Sequence, residues 1–198
     1  MAKVSVIVKL QDTSEFPVRL AFAQHLFTAG TVGGEGKPAF SVTAILPPNH
    51  PVLAELAEAE EKCAVGEWGE KAGANLKAIR AAGKGVIKDG DMKANYDGFA
   101  GNKFVSCRSK EEARPNVFNR DGSQISERDG IVYSGCYSHV IISVWAQDSE
   151  YGKRINAQVT GVKFNRDGDS FGGGTKGASP DDFADLSTAE DDGDSMLD

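Results

Sequence analysis

Ser138–Phe164 reads SHVIISVWAQDSEYGKRINAQVTGVKF, and two strand candidates lie within it, Ser138–Ala146 and Arg154–Phe164. In the first candidate, apolar residues occupy every second position from Val140 to Val144, the period that is typical of a half-buried β-strand. Further strand candidates occur along most of the chain, so we predict a mainly β protein. They are Val4–Leu10, Phe16–Phe22, Ala39–Leu46, Lys103–Arg108, Asn116–Phe118 and Ile131–Tyr133.

One segment between these strands has a helical pattern instead. From Asn49 the composition shifts to Ala, Glu, Leu and Lys, and apolar residues recur at helical spacing until Gly83 and Gly85. Short strands at roughly even spacing, interrupted by one helical segment, are typical of a small antiparallel barrel.

Two local features of the strand region are predicted to be turns or loops. The Gly-rich stretch Thr28–Pro38 is expected to be a loop. The pentapeptide Phe-Asn-Arg-Asp-Gly occurs at 118–122 and again at 164–168. Because Asn and Gly at this spacing favour a tight turn, we predict that the same turn is used twice.

The acidic residues are concentrated at the C-terminus. Asp181–Asp198 holds eight carboxylate side chains and no Lys or Arg, whereas the whole chain has 29 acidic residues, 22 basic residues and a net charge of −7. The remaining 180 residues therefore carry a net charge of +1, so the global acidity does not argue against a nucleic-acid partner. Block charge with few apolar residues is typical of disordered interaction tails. We expect a folded domain over 1–169, a flexible Gly/Ser-rich linker over 170–180 and a disordered acidic tail over 181–198.

The sequence has no recognisable catalytic motif. The spacings of a P-loop, a nucleophile elbow and a zinc-protease helix are all missing. Cys63, Cys107 and Cys136 are widely separated and are predicted to be buried free thiols. We therefore predict a protein without enzymatic activity, metal or cofactor. No secretory segment and no apolar run of membrane-spanning length are apparent, so no membrane partner is expected.

Basic and aromatic residues are interleaved between Lys71 and Arg114. This window has ten basic and five acidic residues. Proteins hold unpaired strands with cations along the phosphates and with rings that stack on bases, each worth about 1–3 kcal/mol. Tyr96 and Phe99 lie in a Gly-rich segment and are expected to be exposed, whereas Phe104 is expected in the core. The predicted binding residues are Lys84, Lys88, Lys93, Tyr96, Phe99, Lys103, Arg108 and Arg114.

A second candidate surface lies between residues 131 and 145. Tyr133 and Tyr137 are close to the entry of a strand, and Trp145 has the opposite parity to Val140. Rings in a barrel belong to the core more often than to a binding surface, so both interpretations stay open. Tyr133 and Tyr137 complete the set of residues predicted to contact nucleic acid.

Several runs of residues together carry a family resemblance. They are Tyr133-Ser-Gly-Cys-Tyr137, Val140-Ile-Ile-Ser-Val-Trp145, Gly152–Phe164 and Phe171-Gly-Gly-Gly with the acidic tail behind it. In these residues the chain resembles bacteriophage single-stranded DNA-binding proteins, and the resemblance covers essentially its full length. It implies an OB-fold-like antiparallel barrel with an inserted helix. It also implies that the protein coats single-stranded DNA during phage replication, recombination and repair, in the host bacterial cytoplasm.

The acidic tail is expected to have two roles. Without DNA it would fold back over the basic groove, and once displaced it would recruit replication or recombination proteins. Many proteins of this type end in an aromatic residue, whereas the last ring here is Phe183, so contacts to partners would depend on Phe183, Leu186 or charge. A homodimer is also possible. The residues assigned to the tail function are Asp181, Asp182, Phe183, Asp185, Leu186, Glu190, Asp191, Asp192 and Asp194.

Three other functions stay open on sequence grounds. One is an RNA-binding module on the same barrel. Another is a phage structural or decoy protein whose acidic tail engages a host factor. A metal-dependent nuclease is the weakest, because Asp89 and Asp91 lie between lysines in a predicted loop.

Overall fold

A computed structural model describes residues 3–32 and 35–173, in which nine strands form one connected sheet beside two α-helices. The strands are β1 (Ser5–Leu10), β2 (Arg19–Ala21), β3 (Gly30–Val32), β4 (Glu35–Leu46), β5 (Lys88–Asp89), β6 (Lys103–Lys110), β7 (Asn116–Phe118), β8 (Tyr137–Ser149) and β9 (Gly152–Arg166). The helices are α1 (Val52–Trp68) and α2 (Ala72–Ala81). Short 3₁₀ turns occupy Ala23–Leu26, Gly69–Lys71, Gly90–Lys93, Glu127–Asp129 and Phe171–Gly173.

Five of the strands close into a barrel. Their order is β8-β2-β4-β6-β9, and β9 pairs with β8 to complete the ring. β1 and β7 extend the sheet beside β8 and β9, while β3 and β5 pair with β4 and β6. Neighbouring strands are antiparallel except for the parallel pairs β6–β9 and β7–β9. A five-stranded barrel with a helical insertion between β4 and β5 confirms the predicted OB-fold-like architecture.

The long β8–β9 hairpin determines which residues face the core. Val140, Ile142 and Val144 of β8 are each 0 % exposed, so the predicted period of two is confirmed. The alternate residues of β8, including Trp145, point to the other face of the sheet. The parity of Trp145 therefore places its ring outside the barrel core.

The ladder between β6 and β9 is short. In the described part of the chain these strands meet at one residue pair, Cys107 and Ala157. Two positions before Ala157, the N–H of Ile155 donates to the carbonyl of Lys84 at 3.2 Å instead of to β6. The two strands thus diverge on this side, and the segment after α2 lies between them.

Helix α1 packs one face against the barrel. This face buries Val52, Leu56, Ala59 and Cys63. The Cys63 thiol donates to the carbonyl of Val144 at 3.2 Å, which ties the helix to β8. Full burial of a side chain such as Leu56 contributes about 1.5–3 kcal/mol.

Two sequence-based expectations about strands are wrong. Thr28–Pro38 is not simply a loop, because β3 and β4 pair within it as a hairpin. Ile131–Tyr133 forms no strand. The residues that follow it pack instead across the end of β2, where the N–H of Gly135 donates to the carbonyl of Leu20 at 2.8 Å.

The predicted strand Phe16–Phe22 is shortened to the three residues of β2. Phe22 has φ +56°, in the left-handed region, which ends the extended backbone. The following N–H of Ala23 donates to Ser134 Oγ at 3.0 Å instead of to a strand. A tertiary contact therefore overrides the alternating pattern.

The repeated pentapeptide adopts two different structures. In the first copy Gly122 has φ +89° and its N–H donates to Asn119 O at 3.0 Å, which forms the predicted turn. In the second copy Phe164–Arg166 belongs to β9, and Asn165 and Arg166 both donate to the carboxylate of Asp12. The prediction of one turn used twice is therefore wrong for the second copy, where long-range contacts decide the conformation.

The cysteines are free and buried, as predicted. Burial raises the pKa of the Cys107 thiol to about 12, so this thiol is not a reactive thiolate. Within residues 3–32 and 35–173, no group of three or more His, Cys, Asp or Glu side chains could hold a metal ion. None of the helices described is long and apolar enough to cross a membrane.

The segment after β9 packs back onto the barrel. Arg19 Nη2 donates to Asp169 O at 2.6 Å, and Phe171 N–H donates to Ser134 O at 2.9 Å. The first residues of the predicted linker are therefore fixed on the body. Residues 174–180 of that linker and the predicted acidic tail, 181–198, lie outside the described residues.

Candidate nucleic-acid interface

A groove of about 610 Å³ opens where β6 and β9 diverge. We call it the basic groove, because six of its lining side chains are cationic and two are acidic. The cations come from separate elements and converge only in the folded chain. They are Lys37, Lys84, Lys88, Arg108, Lys110 and Arg154, and the acids are Glu111 and Glu112.

The cationic side chains of β6 that line the groove point to the same side of the strand as Ser106. Ser106, Arg108 and Lys110 alternate with buried residues and line the groove together. Arg108 Nη2 donates to Lys37 O at 3.0 Å, which fixes the guanidinium beside the start of β4. The strand period therefore places a row of polar and cationic groups along one wall of the groove.

The opposite wall is held by a buried carboxylate. Glu60 of α1 is 1 % exposed. Its Oε1 accepts the N–H of Val86 at 2.6 Å and its Oε2 accepts Arg80 Nε at 2.8 Å. These bonds fix the segment between Lys84 and Lys88 to both helices, so Glu60 positions two groove cations that it does not touch.

Positive charge is crowded at the floor of the groove. Burial lowers the pKa of the half-buried Lys88 ammonium, and the nearby charges of Lys93 and Arg154 lower it further. Among the described residues, Arg154 Nε is the buried side-chain nitrogen or oxygen that lacks a hydrogen-bond partner. Because an unsatisfied buried donor costs about 1–3 kcal/mol, an anion that bound here would be favoured.

Trp145 supplies an aromatic surface in the same groove. Its half-buried ring lies on β8 opposite Asn156 of β9, and Lys3 Nζ is 5.5 Å from the ring centroid. The neighbouring amide of Asn156 donates to Gln147 Oε1 at 2.9 Å. The groove thus combines cations, amides and one large ring, the set of groups that binds phosphates and bases.

Three of the predicted binding residues meet in the basic groove, namely Lys84, Lys88 and Arg108. Four groove residues were missing from the prediction, namely Lys37, Lys110, Trp145 and Arg154. Trp145 had the right parity, but no sequence pattern showed which outer ring would border a groove. Lys37 and Arg154 lie outside the basic window, and only the fold brings them beside it.

Phe99 is not exposed, which corrects its assignment to the binding surface. The side chain is 1 % exposed and packs edge-on against Phe104, with ring centroids 5.2 Å apart. The Gly-rich segment closes on itself, since Gly90 N–H donates to Asn102 O at 2.8 Å. This closure presses Phe99 onto the sheet. Phe104 is 2 % exposed, as expected for the core.

Tyr96 is exposed, as predicted, and lies in a small aromatic cluster. Its ring is 49 % exposed and meets Phe22 edge-on, at 5.6 Å between centroids. Lys93 Nζ is 5.4 Å from the centroid of Phe22 and 5.2 Å from that of Phe104. This predicted lysine therefore lies over rings instead of lining the groove.

Tyr137 belongs to an alternating stack of rings and guanidinium groups. In order, the stack is Phe171, Arg19, Tyr137 and Arg166. The guanidinium carbon of Arg19 is 4.2 Å from the centroid of Phe171 and 5.4 Å from that of Tyr137. The guanidinium carbon of Arg166 is 3.9 Å from the centroid of Tyr137. We call these four residues the Arg19 stack.

The remaining predicted residues are engaged elsewhere in the fold. Lys103 pairs with Asp89 at 3.1 Å. Arg114 Nη2 donates to Phe27 O at 3.2 Å. Tyr133 packs on the core, its hydroxyl lies 2.9 Å from Asp167 Oδ1, and burial raises its pKa to about 12. The DNA contacts assigned to these three residues stay predictions.

The basic groove and the Arg19 stack lie on the same side of the sheet, with the buried side chains of Ile45 and Phe104 between them. Arg19 pairs with Ile45, Ile45 pairs with Phe104, and Phe104 pairs with Lys88. Directly opposed residues of antiparallel strands point to the same side of a sheet. With neighbouring strands about 4.8 Å apart, the Cα atoms of Arg19 and Lys88 are separated by roughly 14 Å across this row.

Comparison with known proteins places the chain among phage proteins. The family model described as "Enterobacter phage Enc34, ssDNA-binding protein" matches residues 9–196. A protein named putative protein p50, of Acyrthosiphon pisum secondary endosymbiont phage 1, is 37% identical over 179 residues, which cover 87% of this chain and 92% of that protein.

Solved structures share the fold. The single-stranded DNA-binding protein of bacteriophage Enc34, solved in complex with ssDNA, superposes with a TM-score of 0.68 at 28% identity, over 84% of this chain and 89% of that one. The T7 gp2.5 single-stranded DNA-binding protein gives a TM-score of 0.52 at 15% identity, over 98% of this chain and 100% of that one. The second likeness concerns the fold alone.

Proposed function

Since the chain belongs to the family of the Enterobacter phage Enc34 ssDNA-binding protein, we propose that it binds single-stranded DNA without sequence preference and without catalysing a reaction. The basic groove is the proposed site. Its cations would follow the phosphates, and Trp145 would stack on a base. The proposed place of action is the host bacterial cytoplasm, in phage DNA replication, recombination and repair.

The observation that carries this proposal is the unsatisfied charge at the groove floor. Arg154 Nε is buried without a partner in the described part of the chain, and Lys88 is half-buried between like charges. A protein core normally pairs such groups. A phosphate between Lys88 and Arg154 would supply the missing acceptor and offset the repulsion.

The acidic tail is proposed to compete with DNA for this groove. Phe171–Gly173, the last described element, is fixed to the same sheet face by the Arg19 stack, so the chain beyond it starts beside that face. Tethering gives a polyanion a high effective concentration there. Once DNA has displaced it, the tail is proposed to recruit replication or recombination proteins through its carboxylates, Phe183 and Leu186.

Anisotropy titrations of a labelled oligothymidylate test the groove. We expect Lys88→Ala and Arg154→Ala to weaken binding and to reduce the dependence of log K on log salt by about 0.7 for each lost phosphate contact. Lys163→Ala is the matched control, because it removes one exposed charge outside the groove.

The outcomes separate the alternatives. If the unmodified protein does not bind single strands at low salt, the proposed function is wrong. If Lys163→Ala weakens binding as much as the groove variants do, the groove is not the site. Competition with unlabelled RNA and duplex DNA of equal length tests the preference, and stronger competition by RNA would favour an RNA-binding module.

A further inference from the structure

We propose that the guanidinium face of Arg19, within the Arg19 stack, is a second base-binding subsite. When DNA is absent, the ring of Phe171 covers this face. This inference rests on the proposed function, because it concerns the same single strand. The ligand is a nucleobase of a strand that already lies in the basic groove. When a base enters, the ring of Phe171 leaves the face of Arg19.

The geometry of the stack is that of a base-binding site. The ring of Phe171 lies 4.2 Å from the guanidinium carbon of Arg19, in stacking distance. A guanidinium plane stacks on any planar π system, and every base has a π face. Arg19 has one anchor outside the segment of the ring, because its Nε donates to Gly135 O at 2.9 Å, and one within that segment, because its Nη2 donates to Asp169 O at 2.6 Å. The first anchor would keep the guanidinium in place when the ring is exchanged.

The position of the stack fits a strand in the basic groove. Arg19 and Lys88 lie on one cross-strand row, three strand spacings or roughly 14 Å apart. Phe22 follows β2, which carries Arg19, and its ring contacts Tyr96, which is 49 % exposed. The side chains of Ile45 and Phe104, which lie on this row between Arg19 and Lys88, are buried under Phe99. A strand that extends from the groove toward Arg19 would therefore pass over the exposed ring of Tyr96, which contacts Phe99.

Phe171 is held by contacts that can be exchanged. Its ring is half-buried and packs over Gly98, where an added Cβ would be 2.6 Å from Phe171 Cζ. Two backbone bonds hold this turn, from Phe171 N–H to Ser134 O at 2.9 Å and from Gly172 N–H to the exposed Asp97 Oδ2 at 3.1 Å. The cation–π contact is worth about 0.5–1 kcal/mol or more, whereas stacking on a base is worth about 1–3 kcal/mol. Stacking of a base would therefore have to offset the loss of this contact and of the two hydrogen bonds.

Exchange of the ring would couple the subsite to the tail. Phe171 precedes Asp181 by ten positions. Its release would free the segment that fixes the start of the tail on the DNA-binding face. A strand long enough to reach Arg19 would therefore dislodge the start of the tail, whereas a strand confined to the groove would not.

Hydrogen exchange of the unmodified full-length protein tests this directly. We compare the Phe171 and Gly172 amides without DNA, with a short oligothymidylate that fills only the groove, and with a long one. The long oligomer is expected to accelerate exchange at both amides, and the short one to leave them unchanged. Both oligomers should protect the Ile155 amide, which lies beside the groove.

The two proposals fail differently. Protection at Ile155 with no change at Phe171 would overturn this inference and leave the groove in place. No protection at Ile155 together with no binding of either labelled oligomer in the anisotropy titration would overturn the proposed function itself. Increased protection at Phe171 would show that the turn is a fixed structural element that DNA does not displace.

Variants give a second readout. Phe171→Ala is expected to tighten binding of the long oligomer by about 2–5-fold, the equivalent of one exposed cation–π contact, and to leave the short one unaffected. Arg19→Lys keeps the charge but loses the stacking plane, and should weaken only the long oligomer. Phe118→Ala removes a half-buried ring on another face and serves as the matched control. Weaker binding of both oligomers by Phe171→Ala, in a protein that unfolds at the normal temperature, would contradict the exchange.

Discussion

The carboxylate of Asp12 and the guanidinium of Arg166 form an ion pair, with 3.0 Å between Oδ2 and Nε. The Asp12 side chain is 0 % exposed, and its Oδ1 also accepts the N–H of Val18 at 2.8 Å. The pair joins the first loop to the end of β9. It also orients the guanidinium that stacks on Tyr137.

Asp12→Ala is expected to lower the free energy of unfolding by about 3 kcal/mol, because it leaves a buried N–H and a partly buried cation without their acceptor. Urea denaturation followed by circular dichroism measures the change. Glu112→Gln removes an exposed charge 3.9 Å from Lys110 and should change stability by less than about 1 kcal/mol. Equal effects of the two variants would contradict a structural role for Asp12.

Glu60→Gln is expected to reduce both stability and DNA affinity. The amide cannot accept bonds from Arg80 and Val86 together, so the segment that carries Lys84 and Lys88 loses an anchor. We expect a loss of about 2 kcal/mol in unfolding free energy and weaker binding of single strands. Glu61→Gln is the control, since Glu61 is exposed and 4.0 Å from Arg80. Normal affinity of folded Glu60→Gln would show that the groove wall does not depend on Glu60.

Trp145→Ala is expected to weaken binding of unrelated single strands by a similar amount, about 1–3 kcal/mol, if the ring stacks on a base. In a Trp68→Phe background Trp145 is the remaining tryptophan, and its fluorescence should be quenched when DNA binds. Trp68→Phe alone is the control, and it should leave the groove unchanged, because Trp68 lies outside the groove and donates to Asp148. Quenching without any loss of affinity in Trp145→Ala would place the ring near DNA but not in contact with it.

Stability is expected to fall in mild acid. Burial lowers the pKa values of His50 and His139, which are both neutral acceptors: His50 Nδ1 accepts the N–H of Val52, and His139 Nδ1 accepts that of Asp12. The folded state therefore binds protons less readily than the unfolded state. Their contribution to stability is complete above the unfolded pKa of about 6.5 and is lost as the pH falls below it. Urea midpoints across this range, in the unmodified protein and in His139→Asn, measure the effect, and an unchanged midpoint in acid would contradict it.

Deletion of Asp181–Asp198 is expected to tighten single-strand binding at low salt, because it removes a tethered competitor. The gain should shrink as salt rises and screens the tail from the groove. Titrations of full-length and truncated protein at several salt concentrations measure it. An identical affinity at every concentration would mean that the tail does not compete with DNA.

The barrel could be predicted from the sequence because its long strand β8 alternates strictly over residues 137–146. Val140, Ile142 and Val144 can bury one face only if the strand keeps its register, so the period identifies the core side. β2 was less predictable, since its end depends on a hydrogen bond from Ala23 to Ser134 across the fold. The conformation of the second pentapeptide could not be predicted for the same reason, because it depends on a hydrogen bond from Asn165 to Asp12, which is distant in sequence.

The candidate site was only partly predictable. Lys84, Lys88 and Arg108 could be found because the charge of their window is visible in the sequence. Phe99 was misjudged, since a Gly-rich segment can close on itself and press a ring into the sheet as readily as it can expose one. Lys37 and Arg154 needed the tertiary structure, because their elements approach the window only through barrel closure.

The single ladder pair between β6 and β9, Cys107 and Ala157, has a mechanical consequence for the basic groove. A groove between fully paired strands has a fixed width, because each added hydrogen bond resists bending. Here β6 and β9 share one ladder pair and the side-chain hydrogen bond from Gln158 Nε2 to Ser109 Oγ at 3.3 Å, so fewer hydrogen bonds resist a change of their opening angle than in a fully paired sheet. Purines and pyrimidines differ in size, and a compliant cleft accommodates both. Tolerance of sequence would then be a property of the barrel's elasticity as much as of the side chains that touch the strand.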